Sequence, residues 1–249
     1  MIRAKDFRPM NDSGSTTEDH YFIAIAGNIG VGKTTMTRLI SEKLEWEAYY
    51  EPVITNPYLD DFYADMSRWS FHLQVYFLSK RFEMQKKIGD NNISCIQDRT
   101  IYEDAEIFAR TLYKNGSMTE RDFENYQDLF KNMTYYLQDP DLIVYLRADV
   151  NELIERIQQR GRESEKSIPK SYLQQLNDAY DNWIPRARKM TQVLEINTNN
   201  CTEKEVEAQA ERIIERIEEF CPPSIFDRGK RNFTTKNTKN TKNNNHYED

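Results

Sequence analysis

The feature that most constrains this chain is an eight-residue run, Gly27-Asn28-Ile29-Gly30-Val31-Gly32-Lys33-Thr34, which fits G-x-x-x-x-G-K-[ST]. It is entered by a short apolar segment, YFIAIA (21–26). It is left by an amphipathic stretch, Lys33–Leu44, with Met36, Leu39, Ile40 and Leu44 on one face. A strand that turns through glycines into a helix presents backbone N–H groups and the positive end of the helix dipole to phosphate oxygens. Lys33 then reaches the β- and γ-phosphates of a bound nucleoside triphosphate, and the Thr34 hydroxyl is a Mg²⁺ ligand. Elsewhere the chain shows no D-x-x-G or N-K-x-D of a guanine-nucleotide switch and no LSGGQ of a transport ATPase. Small-molecule phosphoryl transfer is the reading that remains.

Strand-like and helix-like segments alternate along the rest. The spacing predicts strands at 48–52, 93–98, 141–148 and 192–197. It predicts helices over about 67–88, 100–113 and 170–190, one that carries Leu153, Ile154 and Ile157 after the 141–148 strand, and one from a Ser117/Glu120 capping box to about 137. A last helix is capped by Thr202 with Glu205 and ends near Phe220. This pattern implies an α/β fold whose parallel sheet of about five strands is flanked by helices. Residues 1–20 and 228–249 lack apolar periodicity, and the second stretch is rich in Asn, Thr and Lys. Both are expected to be disordered, leaving one domain over 21–227.

The net charge is −7 although the last 22 residues are themselves basic, which argues against a polyanion-binding surface, and so against a nucleic-acid polymer as partner. No apolar run is long enough to span a membrane, and Cys95, Cys201 and Cys221 lack metal-ligand or disulfide-framework spacing. A cytoplasmic protein without a membrane partner is expected.

Glu51 ends one expected parallel strand and Asp98-Arg99 ends the next, and ligands of open α/β sheets gather at such carboxyl ends. A carboxylate there suits proton abstraction from an acceptor hydroxyl, and Asp98 suits Mg²⁺, directly or through water. Gln74 and Arg81 are seven residues apart on the long helix, about 20° from alignment. From pattern alone a solvated polar stripe is the better account of them; the alternative is an edge reader for a nucleobase, with Asp104 anchoring Arg81. Arg156, Arg160 and Arg162 follow the 141–148 strand, with Gly161 breaking the helix between them. They are candidates to neutralise a transferring phosphoryl group, against the alternative of a loop self-paired with Glu163 and Glu165.

These residues resemble one family, the deoxynucleoside kinases, P-loop enzymes built on a thymidylate-kinase-like sheet. The resemblance runs from about Tyr21 to Phe220. It rests on GNIGVGKTT, the Glu51-Pro52 strand end, RWSFHLQVYFLSKRF (68–82), QDRTIYED (97–104) and RIQQRGRESEKSIP (156–169). NPYLDDFYAD (56–65) and FHLQVYFL look most like the microbial deoxyadenosine kinases. The resemblance implies Mg²⁺-dependent transfer from ATP to the 5′-hydroxyl of a purine deoxynucleoside, deoxyadenosine before deoxyguanosine or deoxycytidine. It implies Glu51 as general base, Arg99 holding Glu51 and the 5′ oxygen, and Asp98 near Mg²⁺. Gln74 would pair with the base, Arg81 and Asp104 would set base preference, and Tyr63 and Glu165 would bind the 3′-hydroxyl. The phosphate site would comprise residues 27–35, including Thr35, with Arg156, Arg160 and Arg162 as a lid. A homodimer pairing helices such as 67–88 and 118–137 is implied too. Two segments depart from the family. Asn56-Pro57 stands where many animal members carry Trp, and Ser164 where some carry Glu.

Overall fold

The computed structural model describes residues 20–50, 56–91 and 93–220. The two expected tails thus lie almost entirely outside the described residues, as does Glu51.

Five strands form one fully parallel sheet in the order β2-β3-β1-β4-β5: β1 (Phe22–Gly27), β2 (Glu47–Tyr49), β3 (Cys95–Asp98), β4 (Leu142–Arg147) and β5 (Gln192–Asn197). β1 is central and buried along its whole length, as expected of a strand covered on both faces. Its side chains alternate between two cores. Ala24 and Ala26 join Ile143 and Tyr145 under α3 (Met66–Asp90) and α8 (Lys170–Ala187). Ile23 and Ile25 join Val144 and Leu146 under α1 (Lys33–Leu44), α7 (Val150–Arg160) and α9 (Glu203–Phe220). The fold is the α/β architecture, a parallel sheet flanked by helices, that the alternating pattern implies.

Register sets up the site. Ile25 pairs with Asp98, and the Arg99 N–H donates to the Ile25 carbonyl at 3.0 Å, so β1 and β3 release their following loops side by side.

Three local expectations change. The helix expected over 100–113 is a composite: α4 (Ile101–Glu103), a π-helical stretch (Asp104–Ala109) and α5 (Arg110–Lys114). α6 (Glu120–Thr134) is capped by the Thr119 hydroxyl, which accepts from the Asp122 N–H at 3.2 Å. Ser117 cannot open that helix because it belongs to the preceding turn: its N–H goes to Asn115 Oδ1 and its carbonyl accepts from Ser70 Oγ. α2 (Leu59–Ala64) was not foreseen, because six residues are too few to show a helical period. At the other end, Thr202 and Glu205 cap α9 as expected, and bonds from the Thr202 backbone and hydroxyl hold the Glu205 carboxyl below its ordinary pKa.

Candidate active site

β1 delivers the phosphate loop under tight steric control. Gly27 has φ +147°, and a Cβ there would lie 2.5 Å from the Leu146 carbonyl oxygen. Gly30 has φ +83°, and a Cβ would lie 2.8 Å from Ile157 Cγ1 and 2.9 Å from the Leu153 oxygen. Only glycine lets the loop press this closely on β4 and α7. Asn28 anchors it from behind: its Nδ2 donates to the Leu173 carbonyl and to Asn177 Oδ1, and its Oδ1 accepts from the Ile29 N–H. Val31 is sunk in the core. α1 starts at Lys33 with no side-chain cap, which leaves its first N–H groups for an anion. Lys33 is buried, with Nζ donating to the Asn28 carbonyl at 2.9 Å.

The Thr34 hydroxyl donates to Asp98 Oδ2 at 2.6 Å, so the two expected Mg²⁺ ligands are adjacent. Next to Asp98, Arg99 adopts φ +66°, unusual for a residue with a side chain. Its guanidinium lies 4.3 Å from the centroid of the Phe108 ring and donates to the Tyr180 hydroxyl at 3.1 Å.

Gln74 and Arg81 are both on the buried face of α3, which also carries Leu73, Phe77 and Leu78. The solvated stripe that pattern alone favours is therefore excluded. Arg81 Nε pairs with Asp104 Oδ2 at 2.6 Å, and Nη1 donates to the Arg99 carbonyl at 3.3 Å. Gln74 Oε1 is buried with no hydrogen-bond partner. The π-helical stretch carries both Asp104 and Phe108 toward the cleft, a placement such wide turns often provide at functional sites.

α7 stops at Gly161, whose φ of +68° closes the helix and redirects the chain. Arg160 and Arg162 both pair with Glu165, the latter at 3.3 Å, and Glu165 is nearly inaccessible to solvent. Arg156 is committed differently from its lid neighbours. It donates to the Val31 carbonyl and to Thr198, and pairs with Glu152, so it braces the outside of the phosphate loop.

One cleft of about 590 Å³ gathers these groups. Ile29, Gly30, Gly32, Lys33, Thr34, Thr35, Tyr63, Gln74, Asp98, Arg99, Asp104, Arg156, Arg160, Arg162 and Glu165 all line it. Gly27, Asn28 and Val31 do not; they support the loop from beneath. An apolar wall of Leu59, Phe62, Leu73, Phe77, Phe108 and Tyr172 completes the cleft, and sequence reasoning gave Phe108 and Tyr172 no role. Burial raises the Tyr172 pKa, so its phenol stays protonated.

The family model for deoxynucleoside kinases matches residues 23–222. The chain belongs to the deoxynucleoside kinase family. It is 44% identical over 164 residues to a deoxyadenosine/deoxycytidine kinase of Bacillus subtilis, covering 65% of this chain and 76% of that one. It is 39% identical over 187 residues to a deoxyadenosine kinase of Dictyostelium discoideum, covering 75% and 76%. A solved deoxyadenosine kinase from M. mycoides, with products dCMP and a flexible dCDP bound, superposes with a TM-score of 0.72 at 31% identity. That match covers 80% of this chain and 99% of the other. The same enzyme with bound dATP gives a TM-score of 0.70 at 30% identity, covering 78% and 99%.

As a P-loop phosphotransferase of this family, the chain carries two polar residues that sequence reasoning missed. Glu103 and Tyr180 are fully buried behind Arg99, at the root of the phosphate loop. The signal for Glu103 was present in the QDRTIYED box, where it stands three residues after Thr100 as in a capping box. Tyr180 gave no signal, because its aromatic ring reads as ordinary core. Among the described residues, no helix is long and apolar enough to cross a membrane.

Proposed function

We propose that this kinase transfers the γ-phosphoryl group of ATP, with Mg²⁺, to the 5′-hydroxyl of a purine deoxynucleoside. Deoxyadenosine, giving dAMP, is the preferred acceptor; deoxyguanosine and deoxycytidine are the alternatives. The observation that carries this reading is Gln74 Oε1, a buried acceptor left without a partner in the cleft that also holds the phosphate loop. An orphaned buried acceptor is costly and is accounted for by a ligand donor such as an exocyclic amine. The names of the relatives from Bacillus subtilis and Dictyostelium discoideum support the choice of acceptor.

The loop amides and Lys33 bind the donor phosphates. Thr34 and Asp98 offer adjacent hard oxygen atoms, which fit Mg²⁺ completed by water and phosphate. That ion, when bound, neutralises charge on the β- and γ-phosphates. On the acceptor side Glu51, outside the described residues, takes the 5′-hydroxyl proton as the O5′–P bond forms and the P–O bond to the leaving diphosphate breaks. Arg99 orients that carboxylate and the 5′ oxygen. Tyr63 and Glu165 bind the 3′-hydroxyl, and Arg160 and Arg162 close over the phosphates. The transition state is loose, so the residues contribute mainly position and fixed charge. A homodimer through α3 and α6, located in the cytoplasm, completes the proposal; exposed Leu129 on α6 supports the pairing.

A panel of four deoxynucleosides with ATP, scored by kcat/KM with the product identified, tests the reading. Deoxyadenosine should rank first and yield a monophosphate. Turnover of monophosphates to diphosphates alone, or of no nucleoside at all, would overturn it.

A further inference from the structure

The proposed chemistry leaves unused a carboxylate that is wholly removed from solvent, that of Glu103. Burying a carboxylate is costly unless donors surround it, and here they come from four places. Oε1 accepts from the Gly27 N–H at 3.1 Å and from the Tyr180 hydroxyl at 2.6 Å, and lies 3.6 Å from Arg99 Nη1. Oε2 accepts from the Thr100 N–H at 2.9 Å.

Those donors belong to opposite sides of the reaction. Gly27 begins the loop that holds the donor phosphates, whereas Arg99 is the acceptor-side arginine. Tyr180, from α8, closes the triangle. It accepts from Arg99 Nη1 at 3.1 Å, and its oxygen is 2.8 Å from the Gly27 carbonyl. Burial, and after it the nearby Glu103 charge, pushes the Tyr180 pKa far up, so its hydroxyl keeps the proton it donates. Arg99 also has a left-handed backbone, with its guanidinium carbon 4.3 Å from the centroid of the Phe108 ring. The ring supports the guanidinium from one side, and the Glu103–Tyr180 pair holds its Nη1 end.

We infer that Glu103, with Tyr180 as its relay, is a positioning residue that holds Arg99 in register with the phosphate loop. The inference rests on the deoxynucleoside kinase reading of the cleft. It assigns Glu103 no contact with substrate; its effect is the distance between the donor phosphate and the acceptor oxygen.

The test uses Glu103→Gln, Tyr180→Phe and the double variant, assayed with ATP and the best deoxynucleoside well below each variant's melting temperature. A displacement of about 1 Å in such a site costs up to about 10²-fold in rate. Glu103→Gln should therefore lower kcat by about 10- to 100-fold while both KM values stay within about threefold. The double variant should lose little more than the worse single variant, because carboxylate and hydroxyl hold Arg99 as one linked unit. A kcat within about twofold of wild type in both single variants would overturn the inference, as would losses that multiply in the double variant. A KM that rises in step with the fall in kcat would also overturn it. If Glu103→Gln does not fold, Tyr180→Phe decides by the same split between kcat and KM. Failure of the underlying reading looks different, since the wild type would then phosphorylate no deoxynucleoside. In that case the Gly27 amide resonance decides whether the carboxylate holds the loop. It should move upfield in Glu103→Gln as a charged acceptor is lost, and an unmoved resonance sinks the idea.

Discussion

Arg81 Nε and Asp104 Oδ2 lie 2.6 Å apart with both side chains sealed from solvent, one from α3 and the other from the π-helical stretch. A pair so thoroughly desolvated is better suited to specificity than to stability. Arg81→Met should shift the ranking of deoxyadenosine, deoxyguanosine and deoxycytidine in kcat/KM. It should also cost about 3–5 kcal/mol of unfolding free energy, because Asp104 is left buried beside an apolar neighbour. Arg81→Met/Asp104→Asn should recover part of that loss. Competition assays and urea unfolding check both statements, and an unchanged ranking would remove the pair from base selection.

Glu51→Gln should preserve deoxynucleoside binding while lowering kcat by a factor on the order of 10² or more, as expected on removing a general base. Calorimetric binding together with single-turnover rates separates the two effects. Near-normal turnover would take Glu51 out of the base role.

Gly30→Ala tests the tightness of the phosphate loop. The new methyl would meet both Ile157 Cγ1 and the Leu153 carbonyl, at a backbone φ of +83°. Destabilisation of about 1–3 kcal/mol is expected, with weaker ATP binding. Adding Ile157→Ala should rescue little, since the Leu153 oxygen belongs to the backbone and stays in place. Thermal unfolding and ATP titration check this, and full rescue would show that the strain lies in the side chain alone.

Cys95 gives a pH prediction. Burial, with the negative charges of Glu47 and Asp141 adding to it, pushes its thiol up to about 12. A proton is thus held more tightly in the folded chain than in the unfolded one, where a thiol titrates near ~8.5. The resulting stabilisation is complete below that value and is lost as pH rises from about 9 toward 12. Native Cys95 should resist iodoacetamide at pH 8 and react once the chain is unfolded. Mapping of labelled peptides checks this, and rapid labelling of the native thiol would contradict its burial. In unfolding measurements, Cys95→Ala should flatten the decline of stability above pH 9.

The sequence was informative wherever short-range chemistry decides. Three glycines between an apolar run and an amphipathic one can hardly be anything but a phosphate loop, and Thr202 with Glu205 is a cap wherever it stands. Alternating segments implied the parallel sheet, because a parallel pair needs a crossover that covers its face. Strand order was out of reach, since hydrogen bonding between β1, β3 and β4 depends on residues some 70 to 120 positions apart.

Burial of polar residues was also decided in three dimensions. Gln74 and Arg81 read as a solvated stripe because polar side chains on a helix usually face water. They are buried because α3 turns the face holding Leu73, Phe77 and Leu78 onto the π-helical stretch and α6, and Asp104 arrives from a wide turn to meet Arg81. Arg156 looked like its lid neighbours in sequence, yet the approach of Thr198 and the Val31 carbonyl makes it a brace. In linear order nothing marks Tyr180 as polar machinery. Only packing α8 against the root of β1 puts its hydroxyl between Gly27, Arg99 and Glu103. Local preference depends on neighbours along the chain, whereas the worth of a buried charge depends on which distant partners the fold brings to it.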